Sequence, residues 1–183
     1  VMERNRYTPL STFVCIKPFL ATFTAPSKTF NVAGAGSANI IVEDENLRNK
    51  IRASLMSKFM MGPGLFGYVV CEAAYTYGER WLDEQLVYLN ENYRYVDGFL
   101  KGHMPEIKAF ELQGTFLMWI DFRESEKGSR EICQELVSEC GVALNRGNSF
   151  GDSGDGFMRL NIGCSRKRLE ELMERMLKWY EKS

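Results

Sequence analysis

The stretch TAPSKTF places Lys28 between an apolar run, PFLATF, and a glycine-bearing segment, NVAGAGSAN. A lysine amine desolvated at a strand end loses basicity and becomes a usable nucleophile and base. Such an amine can hold an aldehyde cofactor as a Schiff base, and the hydroxyl of the preceding Ser27 is then free to bond a phosphate oxygen. The plainer alternative is a solvated loop lysine, the usual state of that residue. A second candidate is Arg159, set in GFMRLN among Phe157, Met158 and Leu160. An arginine in so apolar a strand either points to solvent or holds a partner, and its planar fork suits a carboxylate. Upstream of it, NRGNSFGDSGDG is a Gly-rich loop of the kind whose backbone N–H groups cradle phosphate. It carries neither GxGxxG nor GxxxxGK[ST], so it reads only as a loop bordering a site.

Other chemistries lack their residues. His103 is the one histidine, too little for a His-built metal centre or a Ser-His-Asp relay, and it reads as a helix-end or surface residue. Asp152 and Asp155 have calcium-loop spacing, but the remaining ligands of such a loop are missing, so no metal is expected. The five cysteines show no CxxC spacing and an odd count, which fits reduced, buried thiols in a cytoplasmic protein. A net charge of −1 with both signs mixed argues against nucleic acid. No apolar run approaches membrane-spanning length, so no membrane partner is expected. The chain opens at Val1 with VMERNRYTPL, as a segment cut from a longer protein would.

These candidates need elements to position them. PFLATFT reads as a buried strand ending near Thr24, and residues 38–42 as a second. Asp44 is a helix cap, followed by Leu47, Ile51, Leu55 and Phe59 along one face until Gly62, Pro63 and Gly64 turn the chain. A long helical pattern then runs from about residue 65 to about residue 100, with a bend expected at Gly78. GTFLMWIDF alternates Phe116, Met118, Ile120 and Phe122 against Leu117 and Trp119, a strand. Ser129 opens a helix with Ile132, Cys133, Leu136 and Val137 inward. GVALN and GFMRLNIG read as strands, and the last helix, from about Ser165, buries Leu169, Leu172, Met173, Met176, Leu177 and Tyr180.

Taken in order, TAPSKTFNVAG, GERWLDEQLVYLNENY, LQGTFLMWIDFR and GVALNRGNSFGDSGDGFMRLNIG resemble the pyridoxal-phosphate-dependent carbon–sulfur β-lyases of the class I/II aminotransferase superfamily, the cystathionine β-lyases of MalY/PatB type. The resemblance covers nearly the whole chain. It implies an α/β aminotransferase fold (fold type I of these enzymes): residues 1–100 as the C-terminal part of the cofactor-binding large domain with its connecting helix, and residues 101–183 as the small α+β domain. It implies pyridoxal 5′-phosphate as cofactor, with Lys28 as its covalent and catalytic lysine, Ser27 on its phosphate, and Arg159 on the α-carboxylate of an amino-acid substrate. The implied reaction is β-elimination of a sulfur amino acid to thiol, pyruvate and ammonia, in a cytoplasmic homodimer. An aminotransferase of the same superfamily, or a non-catalytic or regulatory protein on this scaffold, is the alternative.

The resemblance also marks departures. Many aspartate-aminotransferase relatives have a serine three residues before the lysine and a phosphate-binding arginine eight after it; here those positions are Ala25 and Gly36. That argues against a typical aspartate or aromatic aminotransferase. The aspartate that pairs with the pyridine nitrogen and the ring stacked on the cofactor would precede Val1. The segment by itself is therefore expected to be inactive.

Overall fold

In the computed structural model, which describes residues 8–60 and 62–182, contacts gather the chain into two units, one within Glu3–Glu84 and one within Gln85–Ser183. The division falls inside a helix, between Glu84 and Gln85, whereas the sequence reading puts the boundary after residue 100. The difference follows from what that helix buries. Leu89, Asn92, Val96 and Leu100 recur every three or four residues on one face, and its apolar members belong to the core built by the C-terminal elements.

In the first unit, Thr22–Thr24 (β1) pairs antiparallel with Asn39–Ile41 (β2), with Phe23 opposite Ile40. The buried strand expected over PFLATFT is shorter and more open than that. Pro18, which has no N–H to give a ladder, sits in the 3-10 turn Val14–Phe19, and Phe23 is 66% exposed. Pro26 then starts a single helical turn, Pro26–Thr29 (α1), where its fixed φ and missing donor suit the first helical position. Asp44 caps Glu45–Ser57 (α2) as expected, its Oδ1 accepting from the Leu47 N–H at 2.7 Å. Phe59 lies beyond the end of α2 at φ 56° and is solvent-exposed, so it does not extend the apolar face.

The long helical pattern is two helices, Leu65–Tyr77 (α3) and Glu79–His103 (α4), meeting at Gly78. Phe30 explains the break. Its ring lies 5.7 Å from that of Tyr75 and 6.5 Å from that of Trp81, over the bare backbone of Gly78. A Cβ at 78 would come within 2.5 Å of the Phe30 ring and would also meet the Ala74 carbonyl, which cannot move aside. Gly78→Ala should therefore destabilise the fold by about 1–3 kcal/mol through overpacking, despite alanine's better helix propensity. Denaturant unfolding measures this, and a gain in stability would contradict the packing.

The second unit is a four-stranded sheet under three helices. Lys108–Ala109 (β3), Leu117–Asp121 (β4), Asn145–Arg146 (β5) and Phe157–Asn161 (β6) lie in the order β3-β4-β6-β5, antiparallel throughout. Met118, Ile120, Met158 and Leu160 fill one face and are almost fully buried. Against them pack α4, Ser129–Cys140 (α5) and Arg166–Tyr180 (α6), through Val96, Leu100, Ile132, Leu136, Leu169, Met173 and Met176. Val137, expected inward, is 49% exposed, because α5 turns it away from the Ile132–Leu136 stripe. Buried thiols are not found either: Cys15 is exposed and the other four cysteines are half-buried, all of them free. Asn92, inside the apolar stripe of α4, earns its place by donating to the Ile162 and Cys164 carbonyls at 2.9 and 3.1 Å. That ties α4 to the chain leaving β6.

Candidate active site

The lysine turn is built from backbone. Ala25 is extended, and α1 then curls so that the Phe30 N–H bonds the Pro26 carbonyl at 2.9 Å and the Val32 N–H bonds the Ser27 carbonyl at 3.1 Å. A further 3-10 turn, Ala33–Ala35, ends at Gly36, whose φ of 61° is left-handed backbone. An arginine at that position would be strained, which gives the departure at Gly36 a local physical reason. Lys28 itself is exposed and Ser27 half-buried. The residue that fixes the turn is Phe30, two positions beyond the lysine, seated at the junction of α3 and α4.

The arginine sits in the second unit, on the open face of the sheet. Strand register places Arg159 directly opposite Trp119 on β4 and Asn145 on β5. Its Nη2 donates to Asn145 Oδ1 at 3.1 Å, and its Cζ lies 4.4 Å from the centre of the Phe150 ring, a cation–π contact. Trp119 meets Phe150 edge-on at 5.8 Å and stacks on Phe157 at 5.7 Å. Arg159 Nε is buried and has no acceptor among the described residues. Arg159 therefore does not simply point to solvent: Asn145 and Phe150 fix its side chain within the chain.

The Gly-rich loop has a different job from cradling phosphate. Gly147 and Gly154 pass so close that a Cβ on either would overlap the other's carbonyl. Asp155 then reaches the start of α5, its Oδ1 accepting from the Ser129 N–H at 2.8 Å, while the buried Ser129 hydroxyl donates to the Phe157 carbonyl at 3.0 Å. So anchored, the loop delivers Phe150 onto Arg159. The Ser129 N–H holds the Asp155 carboxyl below the usual carboxylate range. A depressed folded value means the stabilisation is complete above the unfolded value of about 3.9 and disappears as pH falls through the lower folded one. Asp155→Asn, which keeps an acceptor but cannot titrate, should flatten the acid limb of the unfolding midpoint against pH. An unchanged acid limb would assign the acid sensitivity elsewhere.

Asp121 is held low in the same way, by Arg123, whose Nε and Nη2 reach its two oxygens at 3.0 and 2.8 Å. His103 ends α4 with its ring 4.6 Å from that of Phe99, a packing role. Sequence reading does not single out Asn145, Phe150 or Trp119. Alternation within GVALN and GTFLMWIDF gives Asn145 and Trp119 a face, but only the pairing of β5 and β4 with β6 puts those two beside Arg159, and only the folded loop brings Phe150 there.

A chain with a lysine on a helical turn after a strand, and an arginine clamped on a small antiparallel sheet, matches one family. The class I and II aminotransferase family covers residues 7–176, and the chain belongs to it. Cystathionine beta-lyase PatB of Bacillus subtilis (strain 168) is 37% identical over 155 residues, which are 85% of this chain and 40% of that protein. Protein MalY of Escherichia coli (strain K12) is 31% identical over 152 residues, with 82% and 39% covered. Cystalysin from Treponema denticola, whose crystal structure contains a pyridoxal 5′-phosphate cofactor, superposes with a TM-score of 0.87 at 33% identity over 94% of this chain and 44% of that one. The architecture is thus the aminotransferase fold that the sequence implied. The chain spans about two-fifths of the length of the curated relatives it matches.

Proposed function

We propose that this chain supplies the cofactor-linking lysine and the carboxylate-binding arginine of a pyridoxal-phosphate-dependent carbon–sulfur β-lyase. The observation that carries the reading is Arg159: a guanidinium held flat on the open face of the small sheet by the Phe150 ring at 4.4 Å and the Asn145 amide oxygen at 3.1 Å. A substrate α-carboxylate is the planar, doubly accepting anion that fits it.

The lysine turn fits the aldehyde end of the cofactor. Lys28 is exposed on α1, and open backbone follows it at Gly34 and Gly36. Toward the phosphate end, Ser27 is the side-chain hydroxyl beside that lysine, and Gly36 adds no charge. When bound, the cofactor ring accepts the electron pair released at the substrate's α-carbon. The rest falls to the protein. Lys28 would hold the cofactor's aldehyde end, and its amine, when free, would take the α-proton. Arg159 holds the carboxylate and so orients the Cα–H bond toward that amine. A thiol departs from Cβ, and water completes the conversion of the remaining three carbons to pyruvate and ammonia.

Residues 1–100 are read here as the C-terminal part of the large domain and residues 101–183 as the small domain. Five free thiols support a reducing, cytoplasmic setting, and no described helix is long and apolar enough to cross a membrane. The intact enzyme is read as a homodimer from the family resemblance alone, because the apolar side chains exposed in the first unit, among them Phe19, Phe23, Leu65 and Phe66, equally suit cover by the rest of a longer large domain.

The test is to incubate an intact enzyme containing this chain with cystathionine and pyridoxal phosphate and to follow pyruvate. Pyruvate without any added keto acid marks a lyase; product that requires a keto acid marks an aminotransferase and replaces this reading. The 183-residue polypeptide alone should give no pyruvate above the blank, because a doubly charged phosphate needs more donors than Ser27 provides. Comparable turnover by the short chain would contradict that count.

A further inference from the structure

We infer that Asn145 and Phe150 are positioning residues for Arg159, fixing its guanidinium so that affinity for carboxylate-bearing ligands depends on both; this rests on the reading of Arg159 as the carboxylate clamp. Asn145 stands opposite Arg159 in the β5–β6 register and takes one Nη2 hydrogen at 3.1 Å. Phe150 covers one guanidinium face at 4.4 Å. An acceptor in the plane and a ring above it remove rotation about the terminal bonds of the side chain. What remains for an incoming anion is the hydrogens of the fork that Asn145 does not take. Two parallel N–H···O bonds demand such a fixed plane, and a long side chain left free must be ordered each time a ligand binds. Neither residue carries chemistry to a substrate atom; each acts through Arg159. Their own supports are separate: Asn145 is on a two-residue strand, and Phe150 is on the loop that Asp155 and Ser129 anchor to α5.

The test compares two ligands of the intact, cofactor-loaded enzyme that differ by the carboxylate alone, L-alanine and ethylamine. Binding is followed by the absorbance change when an amine displaces Lys28. Asn145→Ala should weaken L-alanine binding about three- to tenfold, the range of one lost hydrogen bond, and leave ethylamine unchanged. Phe150→Leu should move the same ratio in the same direction. Asn145→Asp keeps the acceptor but puts a negative charge on the fork, so it should weaken L-alanine further while sparing ethylamine. This variant also decides the matter if Asn145→Ala does not fold. Equal effects on both ligands, or none on L-alanine, overturn the inference. Arg159→Ala separates the two levels. If it leaves the L-alanine to ethylamine ratio untouched, the clamp reading itself fails. If it collapses the ratio while the Asn145 and Phe150 variants do not, only the positioning roles fail.

Discussion

In an intact enzyme containing this chain, Lys28→Ala should lower pyruvate formation from cystathionine by at least about 10²–10⁴-fold, the usual contribution of a positioned proton-transfer group. The loss should be greater still, because the proposed role of the same amine includes holding the cofactor before substrate arrives. Borohydride treatment gives a readout independent of turnover. The unsubstituted enzyme should retain the cofactor covalently on the peptide containing Lys28, and Lys28→Ala should retain none. Label on another lysine, or unaltered activity, would move the catalytic role away from the α1 turn. Phe30 offers a graded control, since it seats that turn on Tyr75 and Trp81.

Arg159→Ala should weaken amino-acid binding by about 2–5 kcal/mol, the cost of removing one partner of a hydrogen-bonded charge pair. It should leave the cofactor bound, since the arginine addresses the substrate alone. Substrate dissociation constants and retained cofactor absorbance check both halves of that expectation. Unchanged substrate affinity with lost cofactor would mean that the fork serves the phosphate instead. Arg159→Lys should recover little, because an ammonium keeps the charge but not the planar pair of donors.

Much of the local structure was legible because it rests on short-range periodicity. The alternation in GTFLMWIDF, the cap at Asp44 and the stripe Leu169, Met173, Met176 each follow from rules spanning a few residues. The failures also have local causes. Pro18 shortened the first strand; the break at Gly78 was legible, but the Phe30 ring packed against it, from a distant stretch of sequence, was not. The Gly-rich loop read only as a loop bordering a site, because glycine permits several uses. Its glycines instead let Gly147 and Gly154 approach, and its Asp155 caps α5.

The sequence by itself determined the family, and from it the lysine and arginine proposed for the site, because a motif is a matter of residue type and order. It also determined which face of each strand is apolar, because side chains alternate whatever the strand pairs with. Only the tertiary structure decided what surrounds Arg159. Trp119, Asn145 and Phe150 lie as many as forty residues from it along the chain, and they meet it through antiparallel pairing and a loop folded back onto α5. Pairing partner and register depend on how whole faces bury against α4, α5 and α6, a collective preference that no single segment encodes.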